Sequence, residues 1–221
     1  MPRQARLVLP GYPHHVTQRG NRRQQTFFED TDYALYRDLM AAACAQFRVR
    51  CWAWCLMPNH VHLVLEPADE GGLARAVAQA HQRYTRHINA REGWTGYLWQ
   101  GRFSSCAMDE AHALTAVRYV ELNPVKARLS PRAQDWAWSS ARYHLGGVAD
   151  GLTTAVDYLA RVPDWERYLA DALGPDEEAR LGYFTETGYL MGAPDWLAGL
   201  ETKSSRPLQP RARGRPRLDR E

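Results

Sequence analysis

One segment near the middle of the chain limits the fold more than any other. It runs from Cys55 to Leu65, has Pro58 and Asn59 at its centre, and continues into a mainly aliphatic and β-branched stretch. Pro and Asn are typical turn residues, and apolar stretches of this kind are typical of buried strands. The segment therefore predicts a β-hairpin whose second strand begins at His60.

His60 and His62 lie two residues apart in that second strand. Residues i and i+2 of a strand point to the same face, so both imidazoles project side by side. Two neutral imidazoles on one strand form half of a divalent-metal site. The alternative is a pair of half-exposed histidines on an ordinary sheet, and the motif alone does not decide between them, because short motifs often occur by chance.

The other predicted elements give the order β-α-β-β-α-β-α. Strands are predicted at residues 14–19, 49–56 (an alternating strand) and 102–108, and helices at 30–46, with Thr31 or Asp32 as N-cap, at 72–90, and from Asp109 or Glu110 to Leu122. The Asn123-Pro124 pair is expected to end the last helix, because proline lacks the backbone N–H. This order fits an α+β, ferredoxin-like antiparallel sheet with helices on one side.

The charge of the 221-residue chain is strongly segregated. Residues 1–149 carry +6, residues 150–201 carry −8, and residues 202–221 carry +5. The basic blocks can attract a polyanion, although charge alone does not distinguish DNA from RNA.

These blocks also suggest the domain organisation. We expect residues 1–149 to form the main domain and residues 150–201 an acidic extension of short helices, broken at Pro163, Gly174-Pro175, Gly182 and Gly192. Residues 202–221 are rich in Pro and Arg and lack apolar periodicity, which is typical of a disordered tail.

The four cysteines and the apolar stretches bear on the compartment. Cys44, Cys51, Cys55 and Cys106 form neither a Cys-x-x-Cys pair nor a zinc spacing, so free, buried thiols are expected. No apolar stretch reaches the length of a membrane span, and the N-terminal one is too short for a signal peptide. We therefore expect a cytoplasmic protein without a membrane partner.

Tyr119 and Asn123 are four residues apart on the third predicted helix, and hence neighbours on one face. A tyrosine beside an oxygen ligand, set against two strand histidines, would be a nucleophile next to a metal. From these two residues alone, a core aromatic and a helix C-cap are the simpler explanation.

The wider pattern resembles the REP-associated tyrosine transposases, a group of single-tyrosine HUH transposases of the insertion-sequence kind. HUH denotes His-hydrophobic-His, which is His60-Val61-His62 here. The resemblance spans residues 12–147 in five ordered blocks, at residues 16–22, 55–62, 96–102, 118–125 and 138–140.

The resemblance implies a function for several residues. His60 and His62 would bind Mg²⁺ or Mn²⁺, Asn123 would complete the metal site, and Tyr119 would be the nucleophile. The substrate would be single-stranded DNA that carries a hairpin, cleaved through a 5′-phosphotyrosine. ATP would not be needed, in agreement with the absence of a phosphate-binding Gly-x-x-x-x-Gly-Lys-Ser/Thr loop from the sequence.

Several alternatives stay open. Tyr84 is a rival nucleophile, although it lacks an Asn or Gln four residues later. The chain could also be a hairpin-binding module for DNA or RNA that lacks catalysis, or a replication initiator or relaxase with the same chemistry. Those enzymes are usually larger. The protein could be a monomer or a homodimer.

Basic and aromatic residues are candidates for DNA contact, in addition to the catalytic set. The candidate DNA-binding residues are Arg19, Asn21, Arg22, Arg23, Arg83, Arg86 and Arg102. A solvated loop or helix face is the alternative for these side chains. Trp94, Tyr97 and Trp99 could stack on unpaired bases, or else belong to the core.

The tail contains Arg213-Gly214-Arg215-Pro216, which resembles the core of an AT-hook. Such an arginine pair fits the narrow minor groove of A·T-rich duplex DNA. Ala212 stands where the fuller motif prefers Pro, and a generic basic tail is the alternative.

Overall fold

The computed structural model describes residues 7–154, 161–171, 173–202 and 208. Four strands form one antiparallel sheet: β1 (His14–Arg19), β2 (Val49–Met57), β3 (His60–Pro67) and β4 (Ser104–Ala107). The helices are α1 (Asp30–Gln46), α2 (Gly72–Glu92), α3 (Glu110–Lys126), α4 (Ala141–Gly146), α5 (Trp165–Ala170), α6 (Pro175–Thr187) and α7 (Pro194–Glu201). Short 3₁₀ turns span Asn21–Arg23 and Ala133–Asp135.

The strand order in the sheet is β2-β3-β1-β4, and every neighbouring pair is antiparallel. Together with the chain order β1-α1-β2-β3-α2-β4, this is the ferredoxin-like arrangement. The predicted α+β class and antiparallel sheet are confirmed.

The two faces of the sheet are covered by different helices. Val61, Leu63 and Leu65 of β3 belong to the apolar core that α1 and α2 complete. Val64 points the other way and packs in a second core with Cys55 and residues of α3. Helices therefore cover both faces. The expectation of helices on one side holds for α1 and α2 but is wrong for α3, because the second face is also largely apolar and must be buried.

Helix α3 runs past the proline that was expected to end it. Pro124 lies inside the helix, which continues to Lys126. Only the hydrogen bond from residue 124 to the Val120 carbonyl is lost, and the last turn closes through the Ala127 N–H to the Asn123 carbonyl at 2.9 Å. Asn123 is therefore a helical residue and not the C-cap.

Smaller predictions also need correction. The N-cap of α1 is Glu29, and Asp32 accepts from the backbone N–H of Phe28 at 2.8 Å from inside the helix. Strand β2 is buried at nearly every position and does not alternate between faces of different polarity, because both faces are covered. Strand β4 is four residues long, which is shorter than predicted.

The described residues of the acidic extension include the helices α5, α6 and α7. Gly182, where a break was predicted, lies within α6 and does not interrupt it. Most of the predicted tail, including Arg213 and Arg215, lies outside the described residues. Leu208 is described, and it is buried in a small apolar cluster with Leu190 and Leu197. The chain is therefore packed at this position of the tail.

Irregular segments close both outer strands of the sheet. Along β2, the Leu56 N–H donates to the Trp138 carbonyl at 2.9 Å, and the Thr154 N–H donates to the Cys51 carbonyl at 2.9 Å. Along β4, the Met191 N–H donates to the Ala107 carbonyl at 3.0 Å. These bonds occupy backbone groups that edge strands otherwise leave exposed.

The four cysteines are free and buried, as the sequence predicted. Within the described ranges, no helix combines the length and apolar character that a membrane span requires.

Burial of His14 predicts acid sensitivity. Its Nδ1 lies 2.8 Å from the Tyr12 carbonyl and its Nε2 accepts from the Leu9 N–H at 3.1 Å, a pattern that only the neutral ring satisfies. Burial lowers the pKa of His14 to about 4. Between pH 6.5 and 4 the unfolded chain therefore binds a proton that the folded chain does not, and the free energy of unfolding falls as pH falls.

We expect His14→Gln to flatten this fall by up to about 1.4 kcal/mol per pH unit. The glutamine amide can both donate to Tyr12 and accept from Leu9, so the variant should fold. Urea unfolding of both proteins from pH 7 to pH 4.5 measures the difference. Parallel curves would contradict the assignment of a neutral, buried His14.

Candidate active site

A polar cleft of about 450 Å³ opens on the sheet face that α3 covers. Strands β1 and β3, the loop before β4, and helices α3 and α6 all contribute to it. Its lining residues are His15, Thr17, Gln18, Arg19, Arg23, His60, His62, Gln100, Arg102, Ser104, Tyr119, Gly182, Thr185 and Glu186. The cleft thus brings both predicted histidines and the predicted tyrosine together.

His60 and His62 project side by side into this cleft, as the strand period predicted. Their ring centroids are 4.9 Å apart. His60 Nδ1 lies 2.6 Å from Asn59 Oδ1, and an amide oxygen only accepts, so Nδ1 carries the proton. The other nitrogen of His60, Nε2, therefore keeps its lone pair.

Both imidazoles are neutral at neutral pH. Burial lowers the pKa of His60 to about 4, with a smaller contribution from the charge of Arg19. The pKa of His62 also lies well below its usual value. Burial is the main cause, and the neighbouring His15 and His60 lower the pKa further. Metal binding requires unprotonated nitrogen, so this environment keeps both side chains in a ligand form.

Asn59 and His15 are residues whose role the sequence analysis missed. Asn59, assigned only to the turn, also donates through Nδ2 to the Arg23 carbonyl at 3.1 Å, so its amide orientation is fixed. His15 lies on β1 with its ring nearly parallel to that of His62, at an interplanar angle of 6°, with ring centroids 5.4 Å apart and Nε2 3.2 Å from His62 Nδ1. The His15 contact depends on strand pairing, which the local sequence does not show.

Tyr119 reaches the same cleft from α3. Its ring stands edge-on to His62 at 5.5 Å and to His15 at 5.8 Å. Burial and the charge of Glu178 raise the pKa of Tyr119, while a side-chain hydrogen bond with Asn123 and the charge of Arg19 act in the opposite direction. The phenol is therefore protonated at neutral pH.

Lys126 is a third residue that the sequence analysis missed. Because α3 continues past Pro124, the Lys126 ammonium lies over the Tyr119 ring, 4.9 Å from its centroid. Lys126 also forms an ion pair with Glu178 of α6. The Tyr119 ring therefore lies beside an ion pair, with the Lys126 ammonium over the ring and the Glu178 carboxylate bound to that ammonium.

Asn123 is buried beside Tyr119 but is not among the residues that line the cleft. Its Nδ2 donates to the Tyr119 carbonyl at 2.8 Å. Among the described residues, no group of three or more His, Cys, Asp or Glu side chains could hold a metal. The two neutral histidines fit a divalent cation, and the third ligand predicted at Asn123 stays a prediction.

Tyr84 lies in the core on the opposite face of the sheet. It is fully buried among residues of α1 and α2, and its hydroxyl donates to the Thr26 carbonyl at 2.7 Å. Burial raises the pKa of its phenol. This position separates Tyr84 from both histidines of the cleft.

The predicted DNA-binding residues outside the tail differ in where the structure places them. Arg19, Arg23 and Arg102 line the cleft, where Glu186 is the only carboxylate among the lining residues. Arg86 lines a neighbouring groove, and Arg102 borders both surfaces. The structure places Asn21, Arg22 and Arg83 on the lining of neither.

The turn that carries Arg22 and Arg23 is tightly built. Both residues have positive φ values, 54° and 62°, which are uncommon for residues other than Gly, Asn or Asp. A Cβ at Gly20 would lie 2.3 Å from the Gln24 carbonyl oxygen, so no side chain fits there. The turn thus depends on Gly20, and it holds Arg23 at the edge of the cleft.

The neighbouring groove, about 860 Å³, lies between α2 and the loop before β4. Trp94 and Tyr97 on this loop are exposed, Tyr97 at 88%. Trp99 is instead buried and stacks on His81 with ring centroids 4.4 Å apart. Trp99 therefore belongs to the core, while base stacking by Trp94 and Tyr97 stays a prediction.

Comparison with known proteins gives one family and one fold. The sequence model of the IS200-like transposases matches residues 10–123. A solved REP-associated tyrosine transposase bound to a REP hairpin is 21% identical, with a TM-score of 0.57 over 71% of this chain and 93% of that one. A Deinococcus radiodurans R1 protein described as a transposase is 18% identical, with a TM-score of 0.39 over 54% and 95%. No curated protein matches this sequence.

The surroundings of Tyr119 predict how the charge of Glu178 changes the pKa of the Tyr119 phenol. Glu178→Gln removes a negative charge that raises the pKa of Tyr119. We expect the pKa of Tyr119 to fall in this variant, since the site is only partly screened from the charge of Glu178. NMR of ring-labelled tyrosine across a pH titration measures this value.

Glu177→Gln is the matched control, because it makes the same charge change one residue away, where the side chain caps the start of α6. It should leave the pKa of Tyr119 near the wild-type value. Equal shifts in the two variants would mean that the effect comes from the net charge of α6 and not from Glu178.

Proposed function

The chain belongs to the IS200-like transposase family, and we propose that it cleaves and rejoins hairpin-carrying single-stranded DNA through Tyr119. One observation supports this most directly. The Tyr119 ring stands edge-on to His62 in a cleft that three arginines line. The same chain therefore supplies a nucleophile, a histidine pair and a phosphate-binding surface at one place.

The reaction is a transesterification at phosphorus. The Tyr119 oxygen forms a bond to the scissile phosphorus while the bond from phosphorus to the 3′ oxygen breaks. The phenolic proton ends on the departing 3′ oxygen, and the products are a 5′-phosphotyrosine and a free 3′-OH. Because a phosphodiester is retained, the 3′-OH of another strand can reverse the step without ATP.

Positioning must compensate for a weak nucleophile. A protonated phenol attacks slowly at neutral pH, and burial raises the pKa of Tyr119 further. The rigid strand face and α3 hold the phenol beside the phosphate site, which removes much of the entropic cost. Arg19, Arg23 and Arg102 would bind the phosphates on either side of the scissile bond.

His60 and His62 would hold Mg²⁺ or Mn²⁺ through their Nε2 atoms, with Asn123 as the proposed third ligand. The ion would supply Lewis-acid polarisation of the scissile phosphate and neutralise its developing charge. The residues that line the cleft would position the phosphate beside the Tyr119 phenol.

The substrate proposal takes its form from the fold neighbour. That protein is a REP-associated tyrosine transposase bound to a REP hairpin. We propose a REP-like hairpin for this chain too, with Trp94 and Tyr97 stacking on unpaired bases beside it. The basic tail, with Arg213 and Arg215, would add phosphate contacts or bind an A·T-rich minor groove.

The proposed nucleophile is tested by a pair of Tyr→Phe variants. We expect Tyr119→Phe to abolish the covalent protein–DNA adduct, because it removes only the hydroxyl, and to leave hairpin binding nearly unchanged. Labelled single-stranded DNA from the flanks of the gene, incubated with Mn²⁺ and resolved under denaturing conditions, shows the adduct. EDTA should abolish it in the wild-type protein.

Tyr84→Phe is the matched control, because it loses one buried hydrogen bond and about 1 kcal/mol of stability but no cleft residue. It should still form the adduct. An adduct in Tyr119→Phe that is lost in Tyr84→Phe would refute the assignment. Tight hairpin binding without an adduct in the wild-type protein would instead identify a binding module.

The arginines of the cleft predict a salt dependence. Arg102→Ala should weaken single-strand binding and reduce the slope of log K against log salt by about 0.7, the value for one lost phosphate contact. Arg83→Ala should leave the slope unchanged, because Arg83 lines neither the cleft nor the groove. Fluorescence anisotropy between about 50 and 200 mM salt, a range over which phosphate contacts change affinity strongly, measures both slopes.

A further inference from the structure

A chain of buried hydrogen bonds links His62 to helix α6. His62 Nδ1 lies 3.2 Å from His15 Nε2, and His15 Nδ1 lies 2.8 Å from the Thr185 hydroxyl oxygen. The Thr185 hydroxyl in turn donates to the Leu181 carbonyl at 2.8 Å. His15, His62 and Thr185 are each at most 6% exposed, so these hydrogen bonds are largely shielded from solvent.

The donor and acceptor of each hydrogen bond in this series can be assigned by starting at Thr185. A carbonyl oxygen only accepts, so the single Thr185 proton is used on Leu181. The Thr185 oxygen must then accept the proton of His15 Nδ1. A neutral imidazole has one N–H, so His15 Nε2 is an acceptor and receives the proton of His62 Nδ1.

We propose that His15 and Thr185 are positioning residues that fix His62 as its Nδ1–H tautomer, which leaves the Nε2 lone pair for a divalent cation. This inference rests on the proposed function only in its use of that cation. His60 reaches the same tautomer through the Asn59 side chain. The two histidines are thus prepared in the same way by different partners.

Burial supports a fully neutral chain. It lowers the pKa of His15 to about 3 and holds the pKa of His62 well below its usual value. Metal-binding histidines usually donate their second N–H to a carboxylate or carbonyl, which orients the ring and raises its basicity. Here the acceptor is a second imidazole, whose orientation a threonine of the acidic extension maintains.

The extension is therefore part of the proposed metal site. Thr185 lies outside the segment that the transposase family matches, residues 10–123. The reverse direction of the chain, with the Thr185 proton on His15 Nδ1, would place a proton on His62 Nε2 and block that atom. The tautomer of His62 is consequently the property to measure.

The first experiment needs no variant. Long-range ¹H–¹⁵N NMR of the full-length, histidine-labelled protein at neutral pH reports which nitrogen of each ring is protonated. We expect protonated Nδ1 and unprotonated Nε2 in both His15 and His62. A proton on His62 Nε2 would overturn the proposal, whatever the protein does with DNA.

The second experiment uses matched threonine variants. Thr185→Val removes the hydroxyl at nearly constant volume, and His15 loses the acceptor that fixes its tautomer. Mn²⁺ binding should weaken by up to about 10- to 100-fold, the cost of losing a partner bonded directly to a metal ligand. Thr185→Ser should restore the affinity. Thr187→Val is the control, because Thr187 is on the same helix and makes the same kind of bond to Tyr183, at 2.8 Å, while exposed to solvent.

Electron paramagnetic resonance of free Mn²⁺ measures these affinities, and thermal unfolding shows whether each variant folds. Mn²⁺ affinity that is equal in Thr185→Val and Thr187→Val would overturn the proposal. If the tautomers and affinities are as expected but no DNA adduct forms, the positioning role stands and the proposed transposase reaction fails.

Discussion

The alternation of side chains along β3 is the constraint on which the rest of the structure depends. Odd-numbered residues such as Leu63 enter the core under α1 and α2, while His60 and His62 point to the other face. A shift of one residue in register would turn the histidines toward the core under α1 and α2 and move residues such as Leu63 to the cleft face. The apolar burial that stabilises the fold therefore also holds the proposed ligand pair in place.

The opposite wall of the cleft comes from helices and not from the sheet. Helix α3 brings Tyr119 to the histidines, and its continuation past Pro124 brings Lys126 over the phenol ring. Helix α6 completes this wall with Gly182, Thr185 and Glu186. Its Thr185 contacts His15, and its Glu178 pairs with Lys126. The acidic extension thus contacts His15 directly and pairs with the lysine that lies over the Tyr119 ring.

Much of this arrangement could be predicted from the sequence where the signal is local. The β-hairpin, the spacing of His60 and His62, and the limits of α1 follow from periods and turn residues that lie close together in the chain. The preference for Tyr119 over Tyr84 as the proposed nucleophile depends only in part on the local sequence. Sheet topology, which places Tyr84 on the opposite face, gives the independent reason.

The contributions of His15, Lys126 and Thr185 could not be predicted, because each depends on contacts between distant segments. His15 meets His62 only once β1 pairs with β3, and Thr185 meets His15 only once α6 packs on the sheet. Lys126 depends on a helix that tolerates proline near its end, where propensity rules predict a stop.

The closed edges of the sheet have a consequence for how copies of this chain can associate. Residues 138–154 bond along β2, and Met191 bonds along β4. A second copy therefore finds no free strand along these stretches with which to build a continuous sheet, the usual route to strand-mediated pairing and aggregation. As far as the described residues show, an assembly on DNA would join through helices, loops or the nucleic acid itself, and each copy would carry its own His60, His62 and Tyr119.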